Sequence, residues 1–344
     1  MAPNGINGVN HTRPLLPGIF APIPTFFLPE SEDLDLSTLS SHVVKLAKAG
    51  VPPLLAGSMG EAIHLSHLER QTIIKTTRSA LDEADLTDVP VIAGAGAGST
   101  RESVELCKEA ASAGADYVIV IPPGYFSAVL AGNRAALKAF FNEIADKSPV
   151  PVIIYNYPGA CGGIDMDSDL ISDLAEHSNI CGVKLTCGNV GKLTRIAAII
   201  SEPSFYTQHP RKDSGTTFLV LGGFADFIVA STFVNGHGAI VGLANVAPNA
   251  LVKLHKLSVA ALKDPSLLPE AQRLQAIIAR GDHTIAKTSI VGTKFLLEKL
   301  YGYGGLARKP LPPIAPEAAE SLWSHPHVQE LMQLERTVSG KLAQ

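Results

Sequence analysis

Short runs of consecutive apolar residues recur along the chain from Gly18 onward, and each is followed by a polar or glycine-rich turn and a helical segment. The runs do not alternate with polar residues, which is typical of strands covered on both faces in a parallel sheet flanked by helices. There are eight of them: GIFAPIPT from Gly18, VPPLLAG from Val51, PVIAGAG from Pro90, YVIVIPP from Tyr117, VPVIIYN from Val150, CGVKLT from Cys181, FLVLGG from Phe218 and GAIVGLAN from Gly238. Eight strand–helix units at intervals of roughly 30 residues predict an α/β fold, a (β/α)8 TIM barrel, over an open doubly wound sheet, which usually has fewer strands.

The segments between these runs carry helix start and stop signals. Segments 66–69 (SHLE) and 99–102 (STRE) fit the capping box, in which an N-cap hydroxyl and a glutamate satisfy free backbone N–H groups at a helix start. Gly50 and Gly114 come just after predicted helices, where a left-handed stop needs a residue without Cβ.

The same pattern divides the chain. Residues 1–16 precede the first run and are predicted to be a flexible tail, and residues 17–245 hold the barrel. From residue 246 to 344 only helical patterns appear, which predicts a C-terminal helical extension packed on the barrel. Its main stretches are LVKLHKLSVAAL, PEAQRLQAIIARGD and IVGTKFLLEKLYG.

Composition narrows the class of partner. Of 344 residues, 46% are hydrophobic and 17% charged, so a large core can form and disorder is excluded as the dominant state. Twenty-eight basic against 32 acidic side chains leave a net charge of −4, which gives no electrostatic footprint for nucleic acid or an anionic membrane surface. No apolar run approaches the length of a transmembrane helix. A small-molecule ligand is therefore expected.

The N-terminus and the cysteines indicate the compartment. MAPNGINGVNHTRPLLPG lacks the apolar run of a secretory signal and has too little Arg and Ser for a transit peptide, which predicts a cytoplasmic protein. The four cysteines are too few for a disulfide scaffold and none are spaced as C-x-x-C, so reduced thiols are expected.

Lys184 is the most informative single residue, because it lies inside an apolar strand run, Gly182-Val183-Lys184-Leu185. A charged, unpaired lysine is costly there, and desolvation lowers the pKa of an amine from about 10.4 toward neutrality, giving a nucleophile for a ketone. The alternative is a structural lysine that snorkels to solvent or forms a buried salt bridge.

Tyr155 ends the preceding apolar run and is either a proton relay or a core aromatic with a satisfied hydroxyl. In a barrel, strands five and six are neighbours, and the carboxyl end of every strand faces one mouth. The topology therefore predicts that Tyr155 and Lys184 converge. Tyr125 follows the fourth strand at the same mouth, and its alternative is surface or subunit-interface packing.

The segment GSMGE follows the second strand. Gly57 and Gly60 allow a tight turn that aims backbone N–H groups at an anion, and Ser58 adds a hydroxyl donor. This suits a carboxylate, although an ordinary strand-to-helix turn is the alternative. The segment is too short for a P-loop and lacks its lysine.

Two further patterns point to other sites. Segment 94–99 (GAGAGS) with Asp116 resembles a dinucleotide fingerprint, but Ser99 takes the third glycine position and Asp116 precedes its strand, so nicotinamide binding is disfavoured. His64 and His67 could share a helical face, yet no third ligand is nearby in sequence. We expect neither a metal nor an organic cofactor.

Taken in order, these segments resemble the pyruvate-dependent class I aldolase family of dihydrodipicolinate synthase and N-acetylneuraminate lyase. The shared pattern reads here GSMGE, AGAGAGST, PPGYF, YNYP, GVK and GHGAIVGLANV, and the match covers roughly residues 17 to 300. Each motif is short, but the combination is specific.

The resemblance implies a role for individual residues. Lys184 forms a Schiff base with the 2-oxo group, and Tyr155 shuttles protons during dehydration and carbon–carbon bond cleavage. Ser58 and the backbone of Met59 bind the carboxylate of the pyruvate moiety. Tyr125 completes the relay, in this family often by reaching into a neighbouring subunit's site, which implies a homotetramer.

Two further residues complete the implied site. Thr186 matches a substrate-contacting hydroxyl position in family lyases, and Ile240 lines the pyruvate pocket. The protonated imine acts as an electron sink for the enamine left by bond cleavage, so the chemistry needs no metal or organic cofactor.

Departures from the family pattern choose among activities. The segment 159–162 (GACG) after YNYP lacks the arginine usual in lysine-biosynthetic synthases, and Asp226 supplies only one of two adjacent acids usual in sialic acid lyases. The sequence therefore predicts a 2-keto-3-deoxy sugar acid aldolase, for example of 2-keto-3-deoxy-L-galactonate, that releases pyruvate and a hydroxyaldehyde. The alternatives are a 4-hydroxy-2-oxoglutarate aldolase, a condensing enzyme of the dihydrodipicolinate synthase type, and a barrel that only binds 2-oxo acids.

Overall fold

The computed structural model describes residues 13–213 and 215–340. Within them, eight parallel strands close into a barrel in which each strand pairs with its neighbours in sequence and β8 pairs with β1. The strands are β1 (Gly18–Pro22), β2 (Pro53–Leu55), β3 (Ile92–Gly94), β4 (Tyr117–Val120), β5 (Val152–Asn156), β6 (Ile180–Leu185), β7 (Leu219–Gly222) and β8 (Gly238–Ile240). The predicted TIM barrel is confirmed.

Helices that follow the strands surround the barrel, and the last four helices belong to the C-terminal extension. They are α1 (Leu36–Lys48), α2 (His67–Glu83), α3 (Thr100–Ser112), α4 (Ser127–Leu130), α5 (Arg134–Lys147), α6 (Ser168–Ala175), α7 (Val190–Ile200), α8 (Phe205–Gln208), α9 (Ile228–Thr232), α10 (Pro248–Ala261), α11 (Leu268–Ala286), α12 (Ser289–Tyr301), α13 (Pro316–Ser324) and α14 (Pro326–Val338). Short 3-10 turns lie at Ala62–His64, Pro158–Ala160, Gly242–Asn245 and Pro265–Leu267. In the described ranges, no helix combines the length and the apolar character needed to cross a membrane.

The continuously apolar strands bury side chains on both faces. One set fills the barrel interior: Phe20, Leu54, Ile92, Tyr117, Ile119, Ile153, Tyr155, Leu219, Leu221 and Ile240. The alternate residues, such as Val118, Val152 and Val220, pack outward against the helices. Because successive side chains of a strand point to opposite faces, a strand buried on both sides must be apolar throughout.

The helix signals read from the sequence have local counterparts. Ser66 and Glu69 form the full capping box, whereas Ser99 accepts from the Glu102 backbone N–H at 3.2 Å as the hydroxyl half of such a box. Gly50 and Gly114 both adopt positive φ angles, +83° and +103°. Helix ends are therefore set by local chemistry.

The amino end of the barrel is closed by the chain that leads into β1. Leu15 is buried there and donates its backbone N–H to the Tyr117 hydroxyl, which in turn donates to the Arg13 carbonyl at 2.8 Å. The Arg13 guanidinium pairs with Asp116 at 3.0 Å. Arg13 and Leu15 are thus held against the barrel, and the rest of the predicted tail, residues 1–12, lies outside the described ranges.

The C-terminal helices cover one side of the barrel. Helix α10 packs against β1 and α9, so it takes the eighth place in the helical ring, although the sequence pattern placed it at the start of the extension. Helices α11–α14 pack on one another, and α12 lies against the turn that follows β8. This last contact brings the extension to the carboxyl end of the barrel.

Candidate active site

Tyr155 and Lys184 lie side by side at the carboxyl end of the barrel. They are register partners on β5 and β6, and Leu221 of β7 pairs with Lys184 on the other side. The Lys184 Nζ lies 4.3 Å from the centre of the Tyr155 ring. The predicted convergence is therefore observed, and it follows from adjacent parallel strands in register.

The Lys184 side chain is buried, with 5% of the residue exposed. Burial lowers the pKa of its amine to about 7, because the charged form loses its hydration. No counteracting carboxylate acts on this amine among the residues that the structure describes. A large neutral fraction at physiological pH makes Lys184 a competent nucleophile for a carbonyl carbon.

The Tyr155 phenol holds its proton at neutral pH. Burial raises the pKa of Tyr155 to about 12, and the nearby hydroxyls of Ser58 and Thr186 partly offset that effect. The ring of Tyr157 stacks on that of Tyr155, with centroids 5.6 Å apart. A protonated phenol flanked by two hydroxyls and an amine can pass protons among them.

Ser58 lies in the loop that follows β2, residues 56–61, which we call the β2 loop. Its backbone is unusual, since Ala56 and Glu61 adopt left-handed φ angles of +48° and +52° at its two ends. An internal turn closes it, in which the Glu61 N–H donates to the Ser58 carbonyl at 3.1 Å, and the Thr25 hydroxyl, from the segment after β1, donates to the Gly60 carbonyl at 2.6 Å. The loop is thus a compact unit at the barrel mouth.

A cavity of about 520 Å³ opens at this mouth and is lined by the β2 loop, by the ends of β3 and β4, and by Tyr155. Gly57, Ser58 and Tyr155 line it directly, and the Lys184 amine lies beside the Tyr155 ring. A volume of this size accommodates a small organic acid.

The other residues predicted from the sequence have distinct placements. Ile240 is fully buried in the barrel interior on β8, and the Met59 side chain packs against the position of Gly242 just after it. The Thr186 hydroxyl is buried without a hydrogen bond of ordinary geometry among the described residues. Gly223 presses against it so closely that a Cβ there would lie 2.1 Å from the hydroxyl oxygen.

Tyr125 does not join this arrangement within one chain. It is 89% exposed, and its ring contacts that of Phe126 edge-on, with centroids 5.0 Å apart. Phe126 and Val129 beside it are also exposed. The predicted relay role of Tyr125 stays a prediction, and it requires a second subunit.

Asn156 is a buried residue at the site that the sequence analysis did not single out. Its amide donates to Asp165 at 2.7 Å and accepts from the Met166 backbone N–H, while its backbone carbonyl accepts from Thr186. The buried amine of Lys192 also binds Asp165. This network fixes the ends of β5 and β6, and its sequence signals were the place of Asn156 in the YNYP motif and its polarity at the end of an apolar run.

Segment 94–99 and Asp116, which resemble a dinucleotide fingerprint, have structural roles in the barrel. Asp116 lies at the amino end of β4, pairs with Arg13 and accepts from the Val91 backbone N–H at 2.9 Å, away from the mouth. A Cβ at Gly94 would lie 1.9 Å from the Ala56 carbonyl oxygen, so this glycine allows β3 to approach the β2 loop.

The two histidines bind different carboxylates, His64 contacting Glu61 and His67 contacting Glu109. Over residues 13–213 and 215–340, no group of three His, Cys, Asp or Glu side chains is arranged to hold a metal ion. The four cysteines are free thiols.

The chain is similar to known proteins over most of its length. The model of the dihydrodipicolinate synthetase family matches residues 16–325. Among curated proteins, an L-threo-3-deoxy-hexylosonate aldolase of Aspergillus niger is 43% identical over 335 residues, covering 94% of this chain and 98% of the relative. A protein of Emericella nidulans named "Probable 4-hydroxy-2-oxoglutarate aldolase, mitochondrial" is also 43% identical, covering 96% of this chain and 99% of the relative.

A solved structure shares the architecture. YagE, a prophage protein of the dihydrodipicolinic acid synthase family from E. coli K12, was solved in complex with pyruvate and superposes with a TM-score of 0.76. It is 27% identical, and the alignment covers 93% of this chain and 99% of that one.

Proposed function

The chain belongs to the dihydrodipicolinate synthetase family, and from that premise we propose that it cleaves a 2-keto-3-deoxy sugar acid into pyruvate and a hydroxyaldehyde through an imine on Lys184. It is an enzyme, a carbon–carbon lyase of the pyruvate-dependent class I aldolase type. The observation that carries the proposed mechanism is the buried Lys184 amine beside the Tyr155 phenol.

The first step joins enzyme and substrate. The neutral Lys184 amine attacks C2 of the 2-oxo acid, forming a carbinolamine whose hydroxyl leaves as water after protonation. Tyr155 delivers that proton and is left as a phenolate beside the Ser58 hydroxyl, ready to accept the next proton. The product is a protonated imine linked to Lys184.

The second step breaks the C3–C4 bond. Tyr155 accepts the proton of the C4 hydroxyl, the C3–C4 electron pair moves into the imine, and an aldehyde leaves with C4 as its carbonyl carbon. The enamine that remains is stabilised because the imine nitrogen has taken up the electron pair. Protonation at C3 and hydrolysis of the imine release pyruvate and regenerate the amine.

The β2 loop binds the substrate carboxylate. Gly57 and Ser58 line the cavity next to Tyr155, and the backbone of Met59 follows them in the same loop. Backbone N–H groups and a hydroxyl are suitable donors for an anion at a tight turn. Ile240, buried in the barrel interior, is proposed to form the apolar side of the pyruvate site.

The sugar acid is favoured over the synthase substrate by the loop after β5. Segment 159–162 carries no cation to hold a second carboxylate, which disfavours condensation with aspartate semialdehyde. The Aspergillus relative is named for a 3-deoxy-hexylosonate. The second candidate is a 4-hydroxy-2-oxoglutarate aldolase, which the printed name of the Emericella relative favours.

A trapping experiment tests the mechanism. Incubation with pyruvate and borohydride, followed by peptide mass mapping, gives an adduct on the peptide that contains Lys184. If the protein carries no adduct, or carries it on another lysine, the proposed mechanism is wrong.

A substrate panel tests the specificity. Pyruvate release is measured with 2-keto-3-deoxy acids and with 4-hydroxy-2-oxoglutarate, and kcat/KM is expected to be higher for a sugar acid. A higher value for 4-hydroxy-2-oxoglutarate selects the second candidate, and binding of 2-oxo acids without turnover selects a non-catalytic barrel.

The assembly and the compartment are also proposals. A homotetramer is supported by the exposed aromatic pair Tyr125 and Phe126 near the mouth, which another subunit can cover. Light scattering and a Tyr125→Phe variant test this, and a fully active monomer contradicts it. Cytoplasmic location is tested by cell fractionation, since a relative carries "mitochondrial" in its name.

A further inference from the structure

A buried ion pair connects the β2 loop to the C-terminal extension. The Lys294 amine on α12 donates to the Glu61 carboxylate at 2.6 Å and to the Leu306 carbonyl at 2.6 Å. The side chains of Glu61 and Lys294 have no exposed area. The second Glu61 oxygen accepts from the Arg308 backbone N–H at 2.9 Å. We call Glu61, Lys294 and Arg308 the latch.

The Arg308 side chain adds contacts beyond those to Glu61. Its guanidinium donates to the His64 carbonyl at 2.8 Å and to Glu69 at 2.7 Å, both on the segment that follows the β2 loop. The Phe27 ring lies under the Lys294 amine and the Arg308 guanidinium, at 4.6 and 4.3 Å. The extension therefore binds the last residue of the β2 loop and the segment that follows it.

The latch contacts the β2 loop, whose backbone has an unfavourable conformation at both ends. Glu61 has a φ of +52° and Ala56, at the other end, a φ of +48°, and left-handed conformations are unfavourable for residues with a Cβ. Such residues persist only where the surroundings over-determine them, and they concentrate at ligand-binding sites. Between them lie Ser58 and Met59, the proposed carboxylate donors.

From this geometry we infer that Lys294 and Arg308, acting through Glu61, are positioning residues for the carboxylate-binding loop. Neither residue touches the substrate. Both hold Glu61 in its left-handed conformation, which keeps the Ser58 hydroxyl and the adjacent backbone N–H groups aimed at one point of the cavity. The inference rests on the proposed function, because it concerns the loop that receives the pyruvate carboxylate.

The hydrogen bonds of the latch fix the orientation of the Glu61 carboxylate. Each Glu61 oxygen has a different donor on the extension, Lys294 for one and the Arg308 backbone for the other. Two donors fixed on separate segments define the orientation of a carboxylate better than one. A displacement of about 1 Å in a binding group can cost up to about a hundredfold in rate.

The test uses the full chain with Glu61→Gln and Lys294→Met combined. Replacing both partners leaves no unpaired buried charge, so this variant folds where either single change risks unfolding. Imine formation is followed by borohydride trapping at increasing concentrations of pyruvate and, separately, of its uncharged methyl ester. The control is Asp116→Asn, which breaks the ion pair with Arg13 at the opposite end of the barrel.

We expect the pyruvate concentration for half-maximal trapping to rise about tenfold or more in the double variant, because the donors of the β2 loop are no longer oriented toward the carboxylate. Trapping of the methyl ester changes less than about threefold, because it has no carboxylate to bind. The Asp116→Asn variant leaves the half-maximal pyruvate concentration unchanged even where it lowers Tm.

Other outcomes distinguish the positioning role of the latch from the proposed aldolase function. Wild-type half-saturation by pyruvate in the folded double variant overturns the inference and leaves the proposed function intact. Equal losses for pyruvate and its ester also overturn it, because they indicate general damage to the site. Absence of any Lys184 adduct in the wild-type protein overturns the proposed function and the inference together.

Discussion

Lys184 and Lys294 are both buried lysines, but their surroundings differ. Lys184 lies at the mouth of the barrel beside an aromatic ring, and burial alone lowers the pKa of its amine to about 7. Lys294 lies where the extension meets the β2 loop, and there Glu61 opposes the effect of burial on its pKa. The same residue type is thus the proposed nucleophile in one region and an ion-pair partner in the other.

The difference teaches what decides the role of a buried lysine. Desolvation disfavours the charged amine in both places, and only a nearby carboxylate restores it. An unpaired buried amine is free to react with a carbonyl, whereas an amine paired with a carboxylate is held in place by its partner. Whether a buried lysine can react therefore depends on whether a carboxylate lies next to its amine.

The largest effect is expected from exchanging each lysine for methionine. Lys184→Met removes the nucleophile and should lower aldolase activity by more than about a thousandfold with little loss of stability, since the amine has no carboxylate to leave unpaired. Lys294→Met leaves Glu61 buried without its ion-pair partner and should cost about 3–5 kcal/mol in the free energy of unfolding.

Steady-state kinetics and urea unfolding measure both effects. Lys294→Met protein that remains folded still forms an adduct on Lys184 at saturating pyruvate. Substantial turnover in Lys184→Met, or in the permanently charged Lys184→Arg, contradicts the assignment of the two lysines.

Tyr155→Phe is expected to have the next largest effect. It removes the phenol that is proposed to exchange protons with the substrate and should lower kcat by about 10²- to 10³-fold, while the ring remains beside Lys184. Tyr157→Phe is the matched control, because it keeps the stacked ring and changes kcat only a few-fold. Comparable losses in the two variants would remove the reason to assign the relay to Tyr155.

The pH dependence of imine formation provides a smaller effect. Only the neutral amine attacks, and with a pKa of about 7 the neutral fraction of Lys184 rises from about a tenth at pH 6 to about nine-tenths at pH 8. Trapping at subsaturating pyruvate should therefore speed up about tenfold over this range and level off above it. A rate that keeps rising to pH 10 indicates an ordinary exposed amine.

Thr186→Val is expected to have the smallest effect. It removes a buried hydroxyl near Tyr155 while keeping its volume, so kcat/KM for the sugar acid should fall about three- to tenfold and stability should not decrease. Half-saturation by pyruvate in the trapping assay should stay close to wild type, as Thr186 is proposed to contact the part of the substrate beyond pyruvate. An equal loss for pyruvate assigns Thr186 to the imine step.

Much of this site could be predicted from neighbouring residues in sequence. Tyr155 and Lys184 end consecutive apolar runs, and barrel topology makes consecutive strands adjacent, so their contact followed once the fold was recognised. The Ser66 cap was equally local, because the residues that satisfy it lie three positions apart.

For other residues the local signal did not reveal their contacts. Asn156 was hidden in an apolar run, although its amide and carbonyl join the ends of β5 and β6. Tyr125 shares a motif with the site but is exposed to solvent in the single chain. A side chain's direction and its burial depend on neighbours that a short motif does not contain.

The order of apolar and polar residues by itself determined the barrel, its strand order and the end of the barrel that carries the chemistry, because these follow from periodicity and chain connectivity. Only the tertiary structure decided the protonation of the lysines and the support of the β2 loop. Glu61 and Lys294 are 233 residues apart in the chain, and desolvation and ion pairing act through space between groups that folding alone brings together.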